Sequence, residues 1–253
     1  MREAFSYMFK DRAFVQKAAL YLCLFLLTYC CIIFSQAKGI PLIGSIAIFA
    51  VGILLCFVLS GYFFSLIRFN IENKENSDIP KINVFENLAT GFKWFLAALI
   101  FLVAVIVIVS LFVALVLLLY KSGLKMTSFF MFLPVYVIVL GGLMIVFPAL
   151  IGIFAKSGEI TSLFRIKKAF EVLCANAKTY FIGYIVYILT ATMIYLLNGL
   201  FYDFSTAFMG SMMQDPVLFN LVFICFNTLL SSYLIFVLSY IFAQMVNVKE
   251  IEE

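Results

Sequence analysis

The chain has 253 residues, 66% of them hydrophobic and only 12% charged, with net charge +4 and mean hydropathy +1.16. Soluble domains are nearer half apolar and a quarter charged, so the composition excludes that class and points to a polytopic helical membrane protein. The alternating short segments of a β-barrel do not occur, and with no His the commonest metal ligand and proton relay near neutral pH are missing.

At the start, Met1, Phe5, Met8 and Phe9 share one helical face, and Arg2, Glu3, Ser6 and Lys10 share the other. Asp11 is then placed to cap a helix that carries Lys17 and continues through a first span, 18–35. A secretory leader is the rival reading, because Ser35-Gln36-Ala37 resembles a small-x-small cleavage site. The patterned leading segment, its acidic Glu3 and Asp11, and an apolar run longer than an ordinary h-region favour a retained span. Lys38-Gly39-Ile40-Pro41 turns the chain into a second span, 42–67, where Ser45, Gly52, Cys56 and Ser60 form a small-residue stripe that admits a close neighbour.

The polar stretch RFNIENKENSDIPKI, residues 68–82, reads as a loop closed by Pro80. Beyond it Val84, Phe85, Leu88, Phe92 and Phe95 recur at helical spacing, with Glu86, Asn87, Thr90 and Lys93 on other faces. This is the pattern of an interfacial helix that feeds straight into a third span, 95–120, with Lys93 and Trp94 at the water boundary. That span has no charge, Gly or Pro, and as a helix would run to about 39 Å against a hydrocarbon core of about 30 Å. A fourth span, 128–155, holds Pro134, Gly141-Gly142 and Pro148, which predict a kink. Residues 160–178 form the clearest amphipathic helix, with Leu163, Ile166, Phe170, Leu173 and Ala177 on one face. A fifth span, 179–202, a short loop with Asp203 and Asp215, and a sixth span, 217–246, complete the chain.

Fourteen of the 17 Lys and Arg flank the ends of the spans on the side of the termini, so positive-inside orientation predicts both termini in the cytoplasm. The expected fold is all-α: one integral domain over 1–253, a bundle of six transmembrane spans with three cytoplasmic interfacial helices. Lys17, Lys93 and Lys178 each stand between an amphipathic stretch and a span. The chain therefore reads either as three copies of interfacial helix, span, turn and span, or as the spacing that positive-inside loops give by themselves.

Short pieces recur in a known pattern: Glu3-Ala4-Phe5-Ser6-Tyr7-Met8-Phe9-Lys10-Asp11, Gly61-Tyr62 through Arg68, Ile79-Pro80, and Gly91-Phe92-Lys93. Pro148-Ala149, Phe154-Ala155, Ala169-Phe170, Asn176, Tyr180 and Gln244 follow. Over almost its whole length the chain resembles the bacterial and archaeal membrane family known as domain of unknown function 4013. Lys81-Ile82-Asn83 stand where that family tends to show Trp and acidic residues. The resemblance implies the architecture and carries no activity.

No Asp, Glu, Lys or Arg lies in the middle of a span, which disfavours a pump or proton-driven carrier. No nucleotide, zinc-protease or triad motif is present, so no catalytic residue, cofactor or metal is expected. The six cysteines, Cys23, Cys30, Cys31, Cys56, Cys174 and Cys225, read as small hydrophobes, and Met209, Met212 and Met213 lack the Cys or His partners a copper site would add. Polar stripes on spans five and six contain Tyr187, Thr190, Asn198, Asn220, Asn227 and Ser231. They serve helix–helix hydrogen bonding or, with Pro148, a polar pocket for a small solute. Lys93, Arg165, Lys167, Lys168 and Lys178 are candidate contacts to lipid headgroups. The expected partners are membrane lipids, anionic ones included, and a membrane-protein partner, with no nucleic acid. The leading expectation is a non-enzymatic protein that organises lipid or partners; the alternative is a carrier or channel component for a small uncharged or amphiphilic solute.

Overall fold

A computed structural model of the chain describes residues 11, 14–35, 41–72, 79–123, 142–209 and 234–246. These are helical throughout apart from short connections: α1 (Phe14–Phe34), α2 (Leu42–Glu72), α3 (Val84–Lys121), α4 (Gly142–Ser157), a 3₁₀ turn (Ile160–Phe164), α5 (Ile166–Ala175), α6 (Ala177–Met209) and α7 (Leu234–Val246). No strand occurs among the described residues. Among the same residues α1, α2 and α3 are long and apolar enough to cross a bilayer. The α5–α6 pair makes a fourth candidate if it is one broken span. Half of the expected fourth span and most of the sixth lie outside the described residues.

Helix boundaries follow local chemistry. Pro41 precedes α2 and its carbonyl accepts the Ser45 amide at 3.0 Å, while an Arg68–Glu72 pair at 3.2 Å spans the last turn and carries the helix past the expected stop at Ile67. Asn83 caps α3: its side chain accepts from the Glu86 amide at 3.5 Å and donates to the Glu86 carboxylate at 3.3 Å. From there α3 runs unbroken through the expected interfacial stretch and span. Helix α4 continues through Pro148 and stops at Gly158, whose φ of +66° takes the left-handed conformation a helix C-terminus favours.

The stretch 160–178 is not one helix. A 3₁₀ turn, a non-helical Arg165 and then Asn176 (φ −120°, ψ 28°) divide it, and α5 meets α6 at 101°. Leu163, Ala169 and Val172 turn inward, whereas Ile166 and Phe170 of the apolar face are exposed. Helix α6 also runs on through Asp203, where a loop was expected.

The core is built around α4 and α7, buried along most of their described lengths through Ala149, Leu150, Phe154, Phe236, Val237 and Met245. Two aromatic clusters tie other helices to them. Phe64, Trp94 and Phe154 form a triangle with ring centres 4.7–5.1 Å apart, joining α2, α3 and α4. Tyr21, Tyr62 and Phe236 join α1, α2 and α7 at 5.8–6.3 Å. Antiparallel α2 and α3 close on two glycines, Gly61 against the Asn87 backbone and Gly91 against that of Phe57.

Candidate functional site

Polar chemistry concentrates where α1, α3 and α6 begin and α2 and α4 end. Pro80 biases Ile79 toward an extended backbone, which leaves both of its peptide groups free for side chains. Buried Asp11 takes the first: its Oδ2 accepts from the Ile79 amide at 2.9 Å and from Lys17 Nζ at 2.6 Å. Lys17 takes the second, donating also to the Ile79 carbonyl. The Tyr62 hydroxyl donates to the Pro80 carbonyl at 3.2 Å. The extended strand of chain ahead of α3 is thus stitched to both α1 and α2. A buried charge pair of this kind is stable only with such additional hydrogen bonds, so its role is a clamp.

Beside the clamp lies a cavity of about 250 Å³ between α2, the segment 80–87 and the end of α4, with Ser65, Arg68, Glu72, Lys81, Glu86 and Asn87 among its walls. Arg68 donates to the Lys156 carbonyl at 3.2 Å, so its cation sits on the C-terminus of α4. Asn87 is only 2% exposed. The Ser65 hydroxyl lies 3.0 Å from its Oδ1 and 3.1 Å from the Gly61 carbonyl, and its buried Nδ2 has no hydrogen-bond partner among the described residues.

The face of α3 that sequence periodicity marked as apolar points outward: Phe85 is 84% exposed, and Val84, Phe92 and Phe95 are exposed as well. Asn87 and Gly91 point in. This reverses the arrangement of a soluble helix and leaves the apolar side for hydrocarbon. Trp94, expected at the water boundary, packs between Phe64 and Phe154, whereas Lys93 is exposed.

The other expected site residues have different fates. Pro148 is buried within α4, and one turn before it the Ile145 carbonyl accepts from the Tyr180 hydroxyl. Asn198 lies in α6, but its side chain falls outside the described residues, as do Asn220, Asn227 and Ser231 entirely. The polar pocket they were expected to form with Pro148 therefore lies outside the described residues. Of the expected headgroup contacts, Arg165 pairs with Glu159 at 2.5 Å and Lys167 with Glu171 at 3.9 Å. Lys178 is exposed and Lys168 half-buried. No cluster of three metal-ligating side chains occurs among the described residues.

Sequence reasoning missed the clamp and Asn87. The sequence marks Asp11 as a helix cap and Pro80 as the close of a loop; Tyr62 and Ile79 are marked only by the short recurring pieces, and none of this pairs them. Asn87 carried no signal, since its burial depends on Gly61, 26 positions earlier.

Among the described residues, three long apolar helices with exposed outer faces are what an α-helical membrane protein shows. The chain belongs to the family described as protein of unknown function (DUF4013), which matches residues 43–202. No curated protein and no solved structure matches it.

Proposed function

We propose that this is a six-span protein of a prokaryotic plasma membrane, with both termini cytoplasmic, that organises lipid or a membrane-protein partner through surface helices and performs no catalysis. The observation that carries this reading is the 101° bend between α5 and α6. If α6 crosses the bilayer, α5 lies along its surface. Lys167 then faces water with its side chain 93% exposed, and the exposed rings of Phe164 and Phe170 reach toward the acyl boundary. Cations so placed contribute about 1 kcal/mol each near anionic headgroups. The outward apolar face of α3 between Val84 and Phe95 supports a second contact of the same kind.

The test is thermal unfolding in nanodiscs with and without anionic lipid. The wild-type chain is expected to gain stability from anionic lipid, and K167E/K168E to lose most of that gain. An equal gain in both refutes the reading.

The carrier reading rests on another observation, a cavity of about 410 Å³ among α1, α2, α3, α4 and α7 lined by Tyr21, Thr28, Cys56, Ser60 and Trp94. Thr28 and Ser60 spend their hydroxyls on the carbonyls one turn back, so the walls are close to apolar and suit an uncharged solute. Tyr21→Phe should alter solute-dependent stabilisation under this reading and leave anionic-lipid stabilisation unchanged.

A further inference from the structure

We propose that the basic pocket where α4, α5 and α7 meet binds a phosphomonoester, and that a membrane lipid carries it there. The pocket holds about 300 Å³, and Lys156, Ser157, Arg165 and Lys168 form its polar wall. None of its described wall residues is acidic. Arg165 reaches Glu159 at 2.5 Å, whereas the ammonium groups of Lys156 and Lys168 pair with nothing among the described residues. Lys168 is half-buried, so water compensates its charge only in part and an anion gains most beside it.

Helix stability does not account for this convergence. Lys156 stands in the last turn of α4, where the helix dipole favours a cation. Arg165 and Lys168 flank the start of α5, where the dipole opposes them, and that first turn carries no acid. Positive-inside placement explains cations on this side of the membrane, but not three of them around one cavity.

Charge selects the ligand class. The three cations less the Glu159 carboxylate leave two positive charges around the space. A phosphomonoester carries about −1.5 to −2 at pH 7, whereas a phosphodiester carries a single negative charge, so the monoester comes nearer to cancelling the excess. Its oxygens accept from the ammonium groups and the guanidinium. Ser157 accepts from the Glu159 amide at 3.3 Å, which leaves its O–H to donate as well.

Surroundings select a lipid over free phosphate. Ile153, Val172 and Val246 complete the wall, and α4 and α7 reach it from the buried core. Basic pockets between membrane helices on the cytoplasmic side suit lipid headgroups. The site rests on the membrane placement proposed above. It does not rest on Lys167, whose side chain is 93% exposed and outside the wall.

The experiment uses the full-length, delipidated protein in detergent, read by native mass spectrometry and thermal unfolding. Phosphatidic acid should be retained about tenfold better than phosphatidylglycerol. K156Q/K168Q removes two ammonium groups that hold nothing else in the fold. It should cut that preference to about twofold and leave the lipid-free unfolding midpoint unchanged. Equal retention of the two lipids by the wild type, or an unchanged preference in K156Q/K168Q, overturns the proposal. A preference that K167E leaves intact, with no general gain from anionic lipid in the wild type, upholds the pocket and sinks the surface reading of α5. Stabilisation by inorganic phosphate as large as that by phosphatidic acid overturns the lipid assignment.

Discussion

Gly61 of α2 approaches α3 so closely that a Cβ on it would lie 1.8 Å from the Asn87 carbonyl oxygen. The obstacle is backbone, which cannot swing aside as a side chain can. Gly61→Ala must therefore push α2 and α3 apart, disturbing the Ser65–Asn87 hydrogen bond and the reciprocal contact of Gly91 with Phe57. Its cost should reach at least the usual 1–3 kcal/mol (about) of overpacking, read as a lowered unfolding midpoint in detergent. Gly52→Ala is the control: its nearest atoms, 3.3 Å away, are the side chains of Cys31 and Ile32. Change there should stay within about 1 kcal/mol.

Asp11→Ala removes the buried acceptor shared by Lys17 and the Ile79 amide. Breaking one side of a buried pair leaves the other charge uncompensated, at about 3–5 kcal/mol. Asp11→Asn keeps an oxygen for the Ile79 amide and should fall between that variant and the wild type. Urea or thermal unfolding of the three proteins orders them; equal midpoints would contradict the clamp.

The bilayer class was legible because apolar run length alone decides it, and α1, α2 and α3 fall where those runs fall. The continuity of Val84–Lys121 was legible too, since nothing between Phe92 and Phe95 breaks a helix. The division of 160–178 was not: Leu163, Ile166 and Phe170 keep helical spacing straight across the break at Arg165. The packing of the opposite face of α3 was also hidden. Periodicity finds the apolar side of residues 84–95 and the interfacial reading turns it to lipid, but that the opposite side, with Asn87 and Gly91, packs on α2 depends on the close approach at Gly61 and Gly91.

Trp94 is the chain's single tryptophan, so intrinsic fluorescence reports on the ring triangle of α2, α3 and α4. Contacts with Phe64 at 4.7 Å and Phe154 at 5.1 Å predict blue-shifted emission poorly quenched by aqueous acrylamide. Phe154→Ala opens one side of the ring at a cost of about 3–5 kcal/mol and should shift emission to the red. Emission at the wavelength of a solvated indole in the wild type would contradict the packing.

Asn176 links the two helices that the functional reading depends on. Its amide closes α5 on the Val172 carbonyl at 3.2 Å, and its carbonyl opens α6 with the Tyr180 amide at 2.8 Å. Asn favours such terminal positions and is a poor interior residue, whereas Ala is the best helix former. Asn176→Ala should therefore raise the population in which α5 and α6 join end to end, for a change of about 1 kcal/mol. Spin labels at exposed Lys167 and Ile185 measure it. A straight helix would hold them about 27 Å apart at about 1.5 Å per residue, and a 101° bend brings them nearer. The wild type should give the short distance and Asn176→Ala a second, longer population. If α5 acts on lipid because it lies flat, the same variant should lose part of the anionic-lipid stabilisation with Lys167 and Lys168 both still present.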